Sequence, residues 1–229
     1  TDPKDLIDSA GVFYCVSENL PRLVKEYLNG AFDMKIAFVG RSCDIRAVIE
    51  IAKRNKINLE NVILLGLSCT GTISPTVARE MAEKEFGVNP EEVLGHHIDE
   101  GKLTLILKDG KEITKDLKEL EEKGLGRRNN CRRCEVPIPR MADLAFGRWG
   151  GEKKKATFIE VCSERGDEIL NLVIQAGYLE VEKPTSEEIE ERAQKERSAI
   201  ELAHYWQERD FGEYKKMSIE ERFEFWKSQ

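Results

Sequence analysis

The chain has 229 residues, of which 40% are hydrophobic and 34% are charged, and its formal net charge is -7. This length suits one compact domain with or without an appendage, and the acidic balance argues against general nucleic-acid binding, which needs a basic face. No run approaches the roughly 20 apolar residues that cross a bilayer, and residues 1–9 are too polar and acidic for a signal peptide, so we expect a cytoplasmic protein without a membrane span.

The first half of the chain alternates predicted helices and strands. A short helix is expected over residues 20–28, and the apolar run 36–39 is typical of a buried strand. Helical spacing over residues 44–54 and a second apolar run over 62–67 follow. A further helix begins after Ser74, a good N-cap, with proline at its first position. This order predicts two parallel strands joined by a crossover helix.

The second half adds a hairpin and a long irregular segment. Asp109-Gly110 is a strong turn signal between two short strands. The remaining predicted elements are strands 103–108 and 111–115, a helical turn or two over 117–123, a Gly/Arg/Pro-rich loop over 124–151, a strand over 157–162, a helix over 165–176 and a strand over 178–181. The fold class is therefore α/β, with a small mixed sheet, a parallel βαβ core, a hairpin and a long loop.

The charge-dense end of the chain is predicted to be helical. Helices are expected over residues 186–207 and 218–227, and Ser218 with Glu221 forms a capping-box pattern. We divide the chain into a domain over residues 1–183 and a helical appendage over 184–229. The thin apolar stripe and gathered aromatics suit a docking segment, whose removal should leave the domain's metal site intact. The alternative is that these aromatics fold back over the chain's own sheet.

Six cysteines in a cytoplasmic chain require a role other than stable disulfides. Cys43 and Cys69 each follow a predicted parallel strand and precede a helix, which places them at one edge of the sheet. Cys131 and Cys134 form a C-x-x-C in the long loop. Cys15 and Cys162 lie in apolar stretches, and we assign both to packing.

Four thiolates suit either a 4Fe–4S cluster or a zinc site. Structural zinc usually takes two close-spaced pairs, whereas two of these cysteines are isolated singles, which favours a cluster. The arginines of the loop would offset a cluster's negative charge, or else form a solvated or docking patch: Arg127, Arg128, Arg132 and Arg133. A zinc-stabilised scaffold module and a thiol redox protein that uses the C-x-x-C remain alternatives.

The other conspicuous residues receive simpler interpretations. His96 and His97 precede a predicted strand and lack a spaced partner, so we expect surface or loop histidines, and His204 is interpreted in the same way. Gly66 and Gly71 do not form a dinucleotide fingerprint. Tight backbone around a metal site is a sufficient role for both glycines.

Four segments of the chain, in this order, resemble the coenzyme F-420 hydrogenase/dehydrogenase beta-subunit family over roughly residues 10–183. They are Gly40-Arg-Ser-Cys43-Asp-Ile-Arg-Ala, Gly66-Leu-Ser-Cys69, Cys131-Arg-Arg-Cys134 and Met141-Ala-Asp-Leu-Ala-Phe-Gly147. Compared with the family, we expect a chain shortened at its N-terminus, without the upstream glycine-rich segment that helps to form a flavin site.

The resemblance implies an iron–sulfur electron-transfer subunit. It implies a 4Fe–4S cluster on Cys43, Cys69, Cys131 and Cys134, and a neighbouring FAD that exchanges hydride with a deazaflavin or nicotinamide coenzyme. For that FAD we expect contacts from polar residues beside the cluster ligands, namely Arg41, Thr70 and Arg148. The implied partners are other subunits of a redox complex such as a hydrogenase, a formate dehydrogenase or a heterodisulfide-reductase-like complex.

Overall fold

The structure is a computed structural model that describes residues 20–147, 149–151 and 156–227. The chain divides into two compact units. The first unit contains the described residues up to Thr70 together with Val136–Arg197, and the second contains Gly71–Glu135 and the described residues from Ser198 onward. No helix in the described part of the chain is long and apolar enough to cross a membrane.

The helices and strands are numbered here in chain order. They are α1 (Leu20–Tyr27), β1 (Ile36–Arg41), α2 (Ser42–Ala52), β2 (Val62–Leu67), α3 (Pro75–Lys84), β3 (Val93–Asp99), β4 (Lys102–Leu107), β5 (Glu112–Asp116), α4 (Leu117–Glu122), α5 (Asn129–Arg132), β6 (Leu144–Gly147), β7 (Phe158–Val161), α6 (Glu164–Gln175), α7 (Ser186–Lys216) and α8 (Ile219–Lys227). Short 3-10 turns lie at Asn29–Ala31, Leu59–Asn61 and Pro90–Glu92.

The first unit is built on a sheet with the strand order β1-β2-β6-β7. Strands β1, β2 and β6 run parallel, and β7 is antiparallel to β6. Its apolar core is formed by Val24, Ala31, Phe38, Ile45, Val48, Ile57, Val62, Leu64 and Ala142. The predicted parallel strand–helix–strand core, and with it the α/β class, is therefore confirmed.

One buried carboxylate ties the strands of this sheet together. Asp143 accepts hydrogen bonds from the backbone N–H of Leu64 at 2.8 Å, from the Ser163 hydroxyl at 2.7 Å and from Arg165 Nη2 at 2.7 Å. Arg165 Nη2 also donates to the carbonyl of Val62 at 2.7 Å. Because Leu64 lies on β2 while Ser163 and Arg165 lie at the start of α6, this network fixes the edge of the sheet to the helix that follows it.

The second unit carries a separate antiparallel sheet, β3-β4-β5. The predicted hairpin is confirmed, with Gly110 at φ +84° in the turn between β4 and β5. Its apolar core contains Ile73, Met81, Ala82, Phe86, Leu103, Leu105, Leu117 and Leu120. Strand β3 was not predicted, and it carries both His96 and His97. The expectation of loop or surface histidines at these positions is therefore wrong, and both side chains are half-buried.

Two further elements differ from the sequence-based expectation. The long segment over residues 124–151 is mostly irregular, but it contains the short helix α5 and the strand β6. The strand predicted over residues 178–181 does not form, and Tyr178 is 81% exposed there. An apolar run becomes a strand only when it finds a partner strand and a face to bury.

The C-terminal helices form as predicted, although α7 is longer than expected. Residues 186–197 of α7 are grouped with the first unit and the rest with the second. The capping box at the start of α8 is confirmed, since Ser218 N–H donates to Glu221 Oε2 at 2.7 Å and Glu221 N–H donates to Ser218 Oγ at 3.2 Å. The proposed domain boundary at residue 184 stays a prediction.

Candidate metal centre

The first two predicted ligands follow the carboxyl ends of neighbouring parallel strands. Strand β1 ends at Arg41, which is in register with Leu67 at the end of β2. Cys43 is the second residue of α2, and Cys69 lies two residues beyond β2. The predicted position of both thiols at one edge of the sheet is therefore confirmed. A helix N-terminus favours thiolates because its free N–H groups carry partial positive charge.

Arg41 lies within electrostatic reach of both thiols. Its Nε and Nη2 donate to the two oxygens of Asp44 at 2.7 and 3.2 Å, and its backbone N–H donates to Asp44 Oδ2 at 3.0 Å. The hydrogen bond with Asp44 raises the pKa of Arg41 most strongly, burial lowers it, and negative charge on Cys43 and Cys69 raises it further. A partly buried cation thus adjoins these two cysteines.

The backbone on either side of the Cys69 thiol is held by the rest of the first unit. Ser68 N–H donates to the carbonyl of Phe146 at 2.7 Å, and Cys69 N–H donates to the carbonyl of Pro137 at 2.9 Å. Upstream, Gly66 has no room for a side chain, because an added Cβ would overlap Pro139 Cγ and lie 2.8 Å from Pro139 Cβ. The expected tight backbone at this glycine is confirmed.

The C-x-x-C of the second unit lies in a single tight turn. Cys131 N–H donates to the Arg128 carbonyl at 2.8 Å, and Cys134 N–H donates to the Cys131 carbonyl at 3.2 Å. Both thiols are half-buried. Such a turn brings two sulfurs three residues apart onto one side of the chain.

The small-residue loop at residues 71–72 holds Cys131 in place. The buried Thr72 Oγ1 lies 3.4 Å from Cys131 Sγ, and the Thr72 carbonyl accepts from Arg128 N–H at 2.9 Å. At Gly71, φ is +121°, and an added Cβ would overlap Arg127 Cδ and lie 3.3 Å from Cys131 Cβ. Only glycine fits this approach, which confirms the tight backbone expected at Gly71.

The loop arginines have carboxylate partners. Arg127 forms a buried two-pronged ion pair with Glu121, whose side chain is fully buried, at 2.5 and 3.2 Å. Arg132 and Arg133 each donate to Asp210 Oδ2 at 2.8 Å. Sequence reasoning missed Thr72 and Asp210. No local pattern indicates Asp210, because it lies more than 70 residues beyond the arginines it binds.

The remaining cysteines are distinct from the predicted ligands. Burial, and then the Glu160 carboxylate, raise the pKa of Cys162, whose thiol donates to the Glu160 carbonyl at 3.4 Å. A thiol with a raised pKa is a poor source of thiolate. None of the five cysteines in the described ranges is in a disulfide. Cys15 lies outside the described residues, so its assignment to packing stays a prediction.

The four predicted ligands are divided equally between the units. Cys43 and Cys69 belong to the first unit, and Cys131 and Cys134 belong to the second. Within the described residues, no group of three or more His, Cys, Asp or Glu side chains is arranged to hold a metal ion. The four-cysteine ligand set therefore stays a prediction.

The predicted flavin contacts are likewise untested. Arg41 is engaged with Asp44, and Thr70 is half-buried at the end of the first unit's opening segment. Arg148 lies outside the described residues. These three residues stay predictions.

Comparison with known proteins identifies the family. The family model for the C terminus of the coenzyme F420 hydrogenase/dehydrogenase beta subunit matches residues 33–187. The F420-dependent formate dehydrogenase subunit beta of Methanocaldococcus jannaschii is 42% identical over 226 residues, which are 99% of this chain and 58% of that protein. The F420-dependent formate dehydrogenase 1 subunit beta of Methanococcus maripaludis is 39% identical over 97% of this chain and 56% of its own length.

A solved structure shares the fold. The chain aligns with a xenon-derivatised F420-reducing NiFe hydrogenase complex from Methanosarcina barkeri with a TM-score of 0.72 and 20% identity, over 95% of this chain and 74% of that one. The chain spans just over half the length of the two formate dehydrogenase subunits. Together with the strand-end cysteines, these matches show that the chain belongs to the coenzyme F420 hydrogenase/dehydrogenase beta-subunit family and corresponds to its C-terminal part.

Proposed function

We propose that this chain is the iron–sulfur electron-transfer part of a beta subunit in a multisubunit F420-dependent oxidoreductase. A 4Fe–4S cluster would be held by Cys43, Cys69, Cys131 and Cys134. The observation that carries the proposal is the pair of thiols at the ends of β1 and β2, with Arg41 in electrostatic reach of both. Cluster potentials depend on net charge and on hydrogen bonds to sulfur, and this chain has residues of both kinds beside the predicted ligands.

The donor set fits the group chemically. Four thiolates are the usual ligands of a cubane cluster. Thr72 Oγ1 lies within hydrogen-bond reach of Cys131 Sγ, and Cys43 is exposed, whereas Cys162, with its raised pKa, is unsuited to ligation. When bound, the cluster would supply one-electron transfer, and the protein would set its position and surroundings.

Chain connectivity also supports a common site. The carbonyl that accepts from Cys69 N–H belongs to Pro137, three residues beyond Cys134. The hydroxyl beside Cys131 Sγ belongs to Thr72, three residues beyond Cys69. Three residues span at most about 11 Å when fully extended. Covalent linkage therefore keeps Cys69 close to both loop cysteines.

The coenzyme and partners are part of the same proposal. The relatives are named as beta subunits of F420-dependent formate dehydrogenases. We infer that this chain works beside other redox subunits in the cytoplasm, receives or delivers electrons through a deazaflavin coenzyme, and binds an FAD with contributions from Arg41, Thr70 and Arg148. Equilibrium dialysis against FAD, with and without a partner subunit, tests the flavin; no binding in either case removes it.

Serine substitution of each cysteine tests the ligand set. In oxygen-free preparations, serine at residue 43, 69, 131 or 134 should strongly reduce iron per chain, because the replacement opens one iron to water or oxygen. Serine at residue 15 or 162 should leave the iron content unchanged and serves as the matched control. Loss of iron in Cys162→Ser together with full iron in Cys43→Ser would overturn the assignment.

A further inference from the structure

The two arginines inside the C-x-x-C both bind one residue of the C-terminal helix. Arg132 Nη2 and Arg133 Nη1 lie 2.8 Å from the same oxygen of Asp210 on α7. All three side chains are less than one-fifth exposed, at 16%, 17% and 17%. Charge-assisted hydrogen bonds of this length are strong, and partial burial reduces their screening by solvent.

Aromatic and amide side chains on α7 complete the contact. The Arg132 guanidinium lies 4.3 Å from the ring centroid of Trp206, which is 1% exposed, and the Arg133 guanidinium lies 4.5 Å from that of Phe211. Gln207 Nε2 donates to the carbonyl of Arg133 at 3.0 Å. Cation–π contacts that are shielded from water contribute about 2 kcal/mol or more.

We propose that α7 is an integral part of the thiol site, in which Asp210 and Trp206 hold the C-x-x-C turn in the conformation that presents Cys131 and Cys134. The cluster aspect of this proposal rests on the proposed function. Asp210 would be a positioning residue, since its contacts reach the thiols only through the arginines. The sequence predicts instead a tail that can be removed without loss of the metal site, and these contacts argue against that independence.

Asp210 would also set the charge around the turn. Two guanidinium groups share its single carboxylate, so the group keeps a net positive charge next to two ligand positions. Positive surroundings favour thiolate over thiol and favour the more negative, reduced form of a cluster. Loss of the Asp210 charge would therefore raise the midpoint potential of any cluster that remains bound.

The test compares Asp210→Asn with Glu213→Gln in the full chain. Both substitutions remove one carboxylate from α7, but Glu213 is 86% exposed and pairs with Lys216. In metal-free protein, alkylation of Cys131 and Cys134 should be several-fold faster in Asp210→Asn than in wild type. In iron-loaded protein, the variant should hold less iron and show a more positive midpoint potential. Asp210→Glu should restore both properties in part, and Glu213→Gln should match wild type.

Three outcomes separate the possibilities. Wild-type alkylation rates and a wild-type potential in Asp210→Asn would overturn the positioning role. Equal changes in Asp210→Asn and Glu213→Gln would also overturn it, because they would reflect the charge of the helix as a whole. Wild-type protein without iron would overturn the proposed function, while the alkylation comparison would still decide the role of α7 in holding the turn.

Discussion

Arg41 and Asp44 enclose Cys43 in a two-pronged ion pair, with Arg41 Nε at 2.7 Å and Nη2 at 3.2 Å from the two carboxylate oxygens. Asp44 also accepts from the backbone N–H of Arg41 at 3.0 Å, which caps the first turn of α2. The same pair therefore fixes both the helix start and the cation that adjoins Cys43 and Cys69. Local structure and site electrostatics depend here on one carboxylate.

Replacement of Asp44 should weaken both the fold and the metal site. Asp44→Ala removes a cap and leaves a largely buried arginine without its carboxylate, so we expect a loss of about 1–3 kcal/mol in the free energy of unfolding. Urea titration measures this loss, and iron content should fall in parallel. Glu50→Gln, on the exposed face of the same helix, should leave both unchanged. Wild-type stability in Asp44→Ala would contradict the role of this ion pair.

Gly71 should be intolerant of a side chain for steric reasons beyond its φ of +121°. Gly71→Ala places a methyl group against Arg127 and Cys131, so it should displace the turn that carries Cys131. Gly87→Ala is the matched control, because Gly87 has φ +65° with nothing within 4 Å of an added Cβ. A left-handed alanine alone costs about 1–2 kcal/mol.

Thermal or urea unfolding and iron analysis together distinguish the two glycine variants. Gly71→Ala should cost clearly more stability than Gly87→Ala and should reduce bound iron. Equal costs and equal iron contents would show that the close approach of Arg127 and Cys131 to the Gly71 backbone is not a constraint.

Thiol reactivity should differ between predicted ligand and packing cysteines. Burial and the Glu160 carboxylate raise the pKa of Cys162, so less of it is thiolate near neutral pH, whereas Cys43 is exposed. In metal-free protein, iodoacetamide should modify Cys43 faster than Cys162 at about pH 7.5, and the rate at Cys162 should still be rising above about pH 9. Peptide mass spectrometry measures both rates. Faster modification of Cys162 would contradict the assigned environments.

Acid stability should depend on Asp143. Burial alone would raise its pKa, but hydrogen bonds from Arg165, Leu64 N–H and Ser163 lower the pKa below its ordinary value. A carboxyl group with a depressed folded-state pKa stabilises the fold above its unfolded pKa of about 3.9, and this stability is lost as the pH falls through the folded value.

Asp143→Asn should therefore reduce the free energy of unfolding at pH 7 by about 1–3 kcal/mol and flatten its decline below about pH 4. Asp167→Asn, an exposed carboxylate on α6, serves as the control and should leave the pH dependence unchanged. Chemical denaturation at pH 7 and pH 3 measures both quantities. An unaltered acid decline in Asp143→Asn would show that other carboxylates control acid unfolding.

Much of the fold is encoded locally and could be predicted. The apolar run Val62–Leu67 forms a strand over those same residues, and Ser74 caps α3 through Oγ, which accepts from Val77 N–H at 3.3 Å. Strand β3 was missed because glycine and two histidines interrupt its apolar pattern, and it forms by pairing with β4. Sequence gives weak signals for such context-dependent strands.

The candidate site divides in the same way. The positions of Cys43 and Cys69 follow from strand–helix order, which is a local property. The contact between Arg132 and Asp210 joins residues 78 positions apart, and no periodicity or spacing records it. Side-chain networks of this kind depend on tertiary packing and emerge only from the folded chain.

Iron and acid-labile sulfide per chain, measured beside zinc in protein made under iron-replete and oxygen-free conditions, test the proposed function most directly. The four cysteine ligands predict about four irons and four sulfides per chain, with a broad absorption that bleaches on reduction. Zinc at about one per chain, with negligible iron and sulfide, would contradict the electron-transfer role and would favour a structural metal site on the same thiols.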